Sequence, residues 1–418
     1  MRKIKDSARS FQQHAHMTHR AAIHPPPADL RTKARATPRF ALFNLGFRPF
    51  YLLASLFAAM SMLLWIAEYS GYLSQGYIRD PVWHAHEMLF GFVLAVVTGF
   101  LFTAVRNWTA LPTPTGALLA AFALLWLAGR ISTLLPFPLL AAALNAAFPL
   151  AVAAALAVPL VRSANRRNYF FVALLTLIAT IIVAVHAAQL GLVRWPARAG
   201  LQVGLDVVLF IIAVIAGRVV PMFTNNAIAG AAAARNPWIE RIALAGVLAL
   251  LVADALRIEG GALATLALGV AALHMARLYF WHPMRTRAVP LVWILHASYA
   301  WIIVHLLLRG LAAQGYVAQP FAIHALTVGA IGGMTIGMMT RTARGHCGRP
   351  LVADRGDVAC YALIMAAAIV RVVGGIAFPE LLRATVILSG LCWSLGFALY
   401  AIRYAPMLVA PRIDGKPG

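Results

Sequence analysis

Charge is what this sequence has least of. Asp and Glu number 13 in 418 residues, and all charged residues together make up 11% of the chain, against roughly 25% in a soluble domain. So sparse a supply excludes an ordinary water-facing globular surface. Cysteine is as rare: Cys347, Cys360 and Cys392 show no CxxC spacing, which excludes a zinc ribbon or a disulfide framework. There is no Gly-Lys-Ser/Thr phosphate loop, no Gly-x-Ser-x-Gly elbow and no HExxH pair, so the common soluble-enzyme signatures are missing. No apolar stretch follows at once on the basic start, so the first residues do not read as a signal peptide.

What is present is apolar length. From Phe50 onward, twelve runs of about 18 to 24 residues each match the ~20 residues a helix needs to cross the hydrocarbon core. They fall near 50–69, 86–105, 116–136, 138–161, 169–190, 199–217, 239–256, 261–280, 290–308, 320–340, 358–377 and 383–402. A lipid-exposed span must satisfy its own backbone hydrogen bonds, so these are helices and not strands. The sequence therefore predicts an all-α polytopic bundle of about twelve spans, one domain over 41–410, with a basic disordered arm at 1–40 and a short tail at 411–418.

The net charge of +22 invites a nucleic-acid reading, but its placement argues for membrane topology instead. With the N-terminus inside, the inner regions hold 27 of the 35 Lys and Arg, 10 of them in residues 1–49, as the positive-inside rule requires. Both termini are thus expected in the cytoplasm, with the lipid bilayer and not nucleic acid as partner. The arm carries His14, His16, His19 and His24 and reads as a solvated segment that can lie on anionic headgroups.

Ionisable groups inside the spans carry the functional signal, because each is costly in lipid unless paired or used. The stretch "PVWHAHEMLFG" at 81–91 puts His84, His86 and Glu87 at the head of the second span, at the outer surface. His186, His305 and His324 fall at the same outer level on spans 5, 9 and 10, with Asp206 in the outer half of span 6; His274 and His296 lie on the inner half. Histidines at one level of a bundle, with no ladder of carboxylates, suit metal or haem ligation better than a proton wire. On span 2, His84 is expected to share a helical face with Met88, Gly91 and Ala95, while His86 points about 200° away. Glu87 is placed either as the acceptor for a neighbouring histidine or as the partner of Arg79 or Arg309.

Span 10 adds Gly329, Gly332, Gly333 and Gly337, which remove bulk along one helix and admit either a neighbouring helix or a flat macrocycle. The exits of spans 2, 6 and 10 ("TGFLFTAVRN", "IAGRVVPMFTNN", "IGGMTIGMMTRT") echo one another at a four-helix period, as three quasi-equivalent arcs would require.

The strings "LGFRPFYLLASLF" (45–57), "WHAHEMLFG" (83–91), "RNWTALP" (106–112), "GRVVPMFTNN" (217–226), "WILHASY" (293–299), "HALTVGAIGGMT" (324–335) and "GHCGRP" (345–350) occur in the order seen in the NnrS family, which the chain resembles over about 40–405. That resemblance implies a bacterial membrane protein containing haem and copper and associated with the response to nitric oxide and nitrosative stress. A broader likeness to the catalytic subunits of haem–copper oxidases and nitric oxide reductases implies haem-ligating histidines on spans 2 and 10 near the outer face. There His84 or His86 pairs with His324, and His86, the deeper of the span-2 two, is the first choice. Spans 6 and 7 lack the histidines of the usual copper site, which leaves His186 and His305, with His296 next in order, as candidates for a further metal. The two function classes are a haem- and copper-binding protein with nitric oxide as small ligand, and a multi-span transporter of a small solute or metal using the same histidines.

Overall fold

The computed structural model describes residues 40–73, 77–78 and 81–416; the N-terminal arm and Arg79 lie outside these residues. Among them there is no strand, and twelve helices follow one another through short connections: α1 (Phe47–Tyr69), α2 (Val82–Thr109), α3 (Gly116–Ser132), α4 (Pro138–Arg162), α5 (Phe170–Gln189), α6 (Ala197–Ala227), α7 (Pro237–Ala255), α8 (Gly260–Phe280), α9 (Pro290–Ala313), α10 (Gln319–His346), α11 (Arg355–Ala377) and α12 (Leu382–Val409). Ten are long and apolar enough to cross a bilayer. The remaining two are α3, whose 17 residues make a shorter apolar helix, and α7, which carries Glu240, Arg241 and Asp254. Large apolar side chains such as Leu124, Leu139, Leu150, Val252 and Ile402 point outward, as lipid contact requires.

Each helix packs on the next, and α12 packs on α1, so the bundle closes on itself. Closure is fastened by backbone and guanidinium: the Ala41 amide donates to the Val409 carbonyl at 2.7 Å, and the buried Arg48 Nη1 donates to the carbonyls of Leu408 at 2.9 Å and Ala410 at 2.7 Å. Arg48 thereby satisfies orphan carbonyls at the C-terminus of α12, where a cation also complements the helix dipole. The most apolar windows of α2, α6 and α10 are 89%, 78% and 78% buried, against 33–61% for the other spans. These three form the interior, one per group of four helices, in keeping with the three-arc reading.

The glycines of α10 serve close helix packing. A Cβ on Gly329 would overlap Trp301 of α9, and one on Gly333 would overlap Ser298 of α9 and Met365 of α11. On Gly332 it would stand 2.5 Å from Cζ3 of Trp393 on α12. Overpacking of this kind typically costs about 1–3 kcal/mol or more. Gly332→Leu is therefore expected to lower the thermal stability of the detergent-purified protein or to abolish its accumulation in membranes. Wild-type yield and melting would mean that α10 stands further from its neighbours than these contacts require.

Candidate functional site

A cavity of about 540 Å³ lies among α1, α2, α6, α10, α11 and α12, within the ~300–1,000 Å³ of small-molecule and cofactor sites. Its walls are mainly apolar and aromatic, with Trp65 and Phe92 facing Trp393 and Ile331. The polar groups that reach it are few: His84, His324, Arg371, Arg198, Gln202 and Gln319 among them.

Three π-helical segments surround this space: Glu87–Val93 in α2, Ala325–Gly332 in α10 and Val370–Gly374 in α11. Those of α2 and α10 begin at Glu87 and just after His324, that of α11 contains Arg371, and all three contribute side chains to the wall, including Met88, Leu89, Thr327 and Val328. Such segments are rare and concentrate at functional sites, because the wider turn re-aims the side chains that follow. The wall of α2 runs through His84–Ala85, Met88–Leu89 and Phe92–Val93, an advance of four residues a turn in place of 3.6. Gly91 accordingly leaves the His84 face expected for it. A Cβ there would sit 2.7 Å from Phe57 and 2.8 Å from Nη1 of Arg130.

Of the sequence-predicted residues, His84 and His324 are brought to one cavity. His324 Nδ1–H donates to the Pro320 carbonyl at 2.6 Å, one helical turn back, which fixes the tautomer and leaves Nε2 as the lone-pair nitrogen. A histidine held in this way is a typical metal-ligand arrangement. His84 stacks on Trp65 with ring centroids 4.2 Å apart and planes at 25°, and its Nδ1 is buried without a partner. Nδ1 of His84 thus lacks the backbone acceptor that His324 has. Two imidazoles, apolar aromatic walls and cationic groups together match what a haem needs from a protein.

His86 is not at this cavity. It is fully buried on the opposite side of α2, inside a hydrogen-bonded chain whose proton order follows from its ends. Glu87 receives Arg130 Nη1–H on Oε2 at 2.8 Å, and His86 Nδ1–H donates to its Oε1, also at 2.8 Å. His86 Nε2 is then an acceptor and takes Nε2–H of His186 at 3.2 Å. His186 Nδ1 in turn accepts the Tyr77 hydroxyl at 3.0 Å. Arg130 also donates to Asn145, whose Nδ2 is tied to the carbonyls of Gly129 and Ala141 at 3.1 and 2.8 Å. Every ring nitrogen of His86 and His186 is engaged, so neither offers a lone pair to a metal in this arrangement. Glu87 does accept from a neighbouring histidine, but its cation is Arg130 of α3 and not Arg309.

Arg309 instead pairs with Asp206, at 2.9 Å, and with Asp254. The candidates for a further metal occupy separate settings. His305 Nδ1–H donates to the Ala322 carbonyl at 2.7 Å, His296 Nε2–H donates to the Thr224 hydroxyl at 2.8 Å, and His186 lies in the chain just described. Among the described residues no three His, Cys, Asp or Glu side chains converge as a metal would require. His186, His296 and His305 therefore do not share one site. His274, stacked on Tyr299, belongs to a further buried network in which Arg277 holds Glu240 through two hydrogen bonds of 3.0 and 2.9 Å.

Arg130 and Arg371 are the residues that sequence reasoning passed over, both counted only as outer-side charges. A signal for each existed, since a lone arginine within or at the end of an apolar run demands a partner.

Compared with known proteins, residues 41–412 match the family model described as NnrS protein. No curated protein matches the chain.

Proposed function

The chain belongs to the NnrS family, and from that premise together with the cavity we propose that it is a haem-binding multi-pass protein of the bacterial inner membrane serving the response to nitric oxide, with His84 and His324 as the iron ligands. The observation that carries this reading is the meeting of both histidines at one mainly apolar cavity flanked by three π-helical segments. Haem bound there would supply an iron centre for one-electron chemistry, and a diatomic ligand would bind by displacing one of the two histidines.

The chain's own residues divide the remaining work. The Pro320 carbonyl orients His324 and raises its basicity. His84 has no such acceptor on Nδ1, so it is the more weakly held of the two. Trp65, Phe92 and Trp393 keep water from the cavity and offer flat faces to a macrocycle. The chain from Tyr77 to Arg130 ties the first turns of α2 to α3 and α5 on the side away from the cavity.

The test is a visible spectrum of the full-length protein purified in detergent after expression with sufficient haem. An intense Soret band, present in the reduced protein and shifted by nitric oxide, is expected. A protein that stays colourless under these conditions would overturn the reading and return the transporter alternative.

A further inference from the structure

The cavity holds a charge that no ion pair balances among the described residues. Arg371 sits in the π-helical segment of α11, its guanidinium 5.9 Å from the Phe321 ring centroid. Its Nη1 is buried without a hydrogen-bond partner, and it makes no ion pair among the described residues. Arg198, exposed at the start of α6, is the other cation of the wall. Among the described residues no Asp or Glu lines the cavity. Arg371 stands within electrostatic reach of both His84 and His324.

An arginine at membrane depth is retained where it has a counter-charge, because removing a guanidinium from water is costly without one. Arg130 faces Glu87, Arg277 faces Glu240 and Arg309 faces Asp206, while Arg48 is held by the carbonyls that end α12 and Arg341 lies over the Phe223 ring. Arg371 has no acid either, and it lies at the cavity, where an anion can come from a guest. Aromatic walls with two cations and no acid describe a ligand with a flat apolar body and acidic groups at one edge. The planar fork of arginine suits a carboxylate in particular.

We propose that Arg371, with Arg198 nearby, binds the carboxylates of the cavity's ligand, and that this contact sets which porphyrins the site accepts. The proposal rests on the haem reading above and adds a specificity-determining residue to it. It implies a site that selects the free diacid and discriminates against an esterified porphyrin of the same shape.

The experiment uses the full-length protein in an uncharged detergent, depleted of haem. It is titrated with haem and with haem dimethyl ester, and binding is read from absorption and from quenching of tryptophan fluorescence. A charge-assisted hydrogen bond to a carboxylate corresponds to about 10- to 100-fold in affinity, so the ester should bind that much more weakly. Arg371→Leu should bring diacid binding down to the level of the ester and leave ester binding unchanged, and Arg371→Lys should restore part of the difference. Equal affinity of the wild type for both porphyrins would overturn the proposal and leave the haem reading standing; this comparison needs no variant to fold. A folded Arg371→Leu protein that keeps the full preference for the diacid would overturn it as well. A wild-type protein that binds neither porphyrin would overturn both readings.

Discussion

Replacing His324 by Ala should strip haem from the purified protein, and His84→Ala should do so less completely, while His86→Ala should leave the Soret band of whatever protein accumulates. The ranking follows from geometry. His324 Nδ1–H is held by the Pro320 carbonyl at 2.6 Å, which presents Nε2 to the cavity as a fixed and basic ligand. His84 faces the same space without an acceptor on Nδ1, steadied by stacking on Trp65. Loss of an outer-shell partner of a metal-bound histidine typically weakens binding by about 10- to 100-fold, and loss of the ligand itself should exceed that. His324→Ala is therefore expected to lower haem affinity by roughly 100-fold or more. His86 is turned away, with both ring nitrogens bound to Glu87 and His186. Haem extracted per milligram of protein and the absorption spectrum check all three. Wild-type haem content in both His84→Ala and His324→Ala would sink the ligand assignment.

The contrast between His84 and His86 shows what the sequence carried and what it did not. Hydropathy located all twelve helices and placed their starts within four residues, because a span's apolarity is a one-dimensional property, whereas α6, α10 and α12 run on past the expected spans by ten, six and seven residues. Counting residues from a span's end likewise gave depth, and it put His84, His86, His186, His305 and His324 at one outer level. Depth is only one of three coordinates, however. In the bundle, α2 and α10 meet around the cavity, whereas His186 on α5 reaches α2 from its other side, and His305 on α9 bonds to the backbone of α10. Position around the ring was not legible.

Rotation about the helix axis was also lost, and for an identifiable reason. Faces were assigned with a period of 3.6, yet α2 turns π-helical at Glu87, directly after the two histidines. The wall advances by four residues a turn, so Phe92 and Val93 take the place expected for Gly91. Nothing in the local run "EMLFGFV" marks that change, which arises from packing against other helices. The glycine itself was legible as a need for room. Its purpose, admission of the Arg130 side chain from α3, depends on a contact 39 residues away in sequence and could not be read.

That contact sets the other large effect. Glu87→Ala should destabilise the protein by about 3–5 kcal/mol, because it leaves Arg130 buried without its counter-charge and His86 without its acceptor. Glu87 is 1% and Arg130 6% exposed, so water cannot replace the lost partner without opening the interface between α2 and α3. Arg130→Ala should cost a similar amount, since it leaves the carboxylate with a histidine alone. Removing both ends differs from removing one. Glu87→Leu with Arg130→Met deletes two buried charges at once and supplies apolar volume, an exchange that is often neutral or stabilising. The double variant is thus expected to melt closer to the wild type than either single variant does. It still leaves His86 Nδ1–H without its acceptor, so full recovery is not expected. Thermal unfolding of the three proteins in one detergent, followed by tryptophan fluorescence, makes the comparison. Single variants that melt with the wild type would show that the pair is solvated and that the chain from Tyr77 to Asn145 does not hold the top of α2. If the singles are unstable and the double recovers stability but binds haem poorly, the network acts on the cavity by aiming His84. If the recovered double binds haem normally, the pair serves the α2–α3 interface alone.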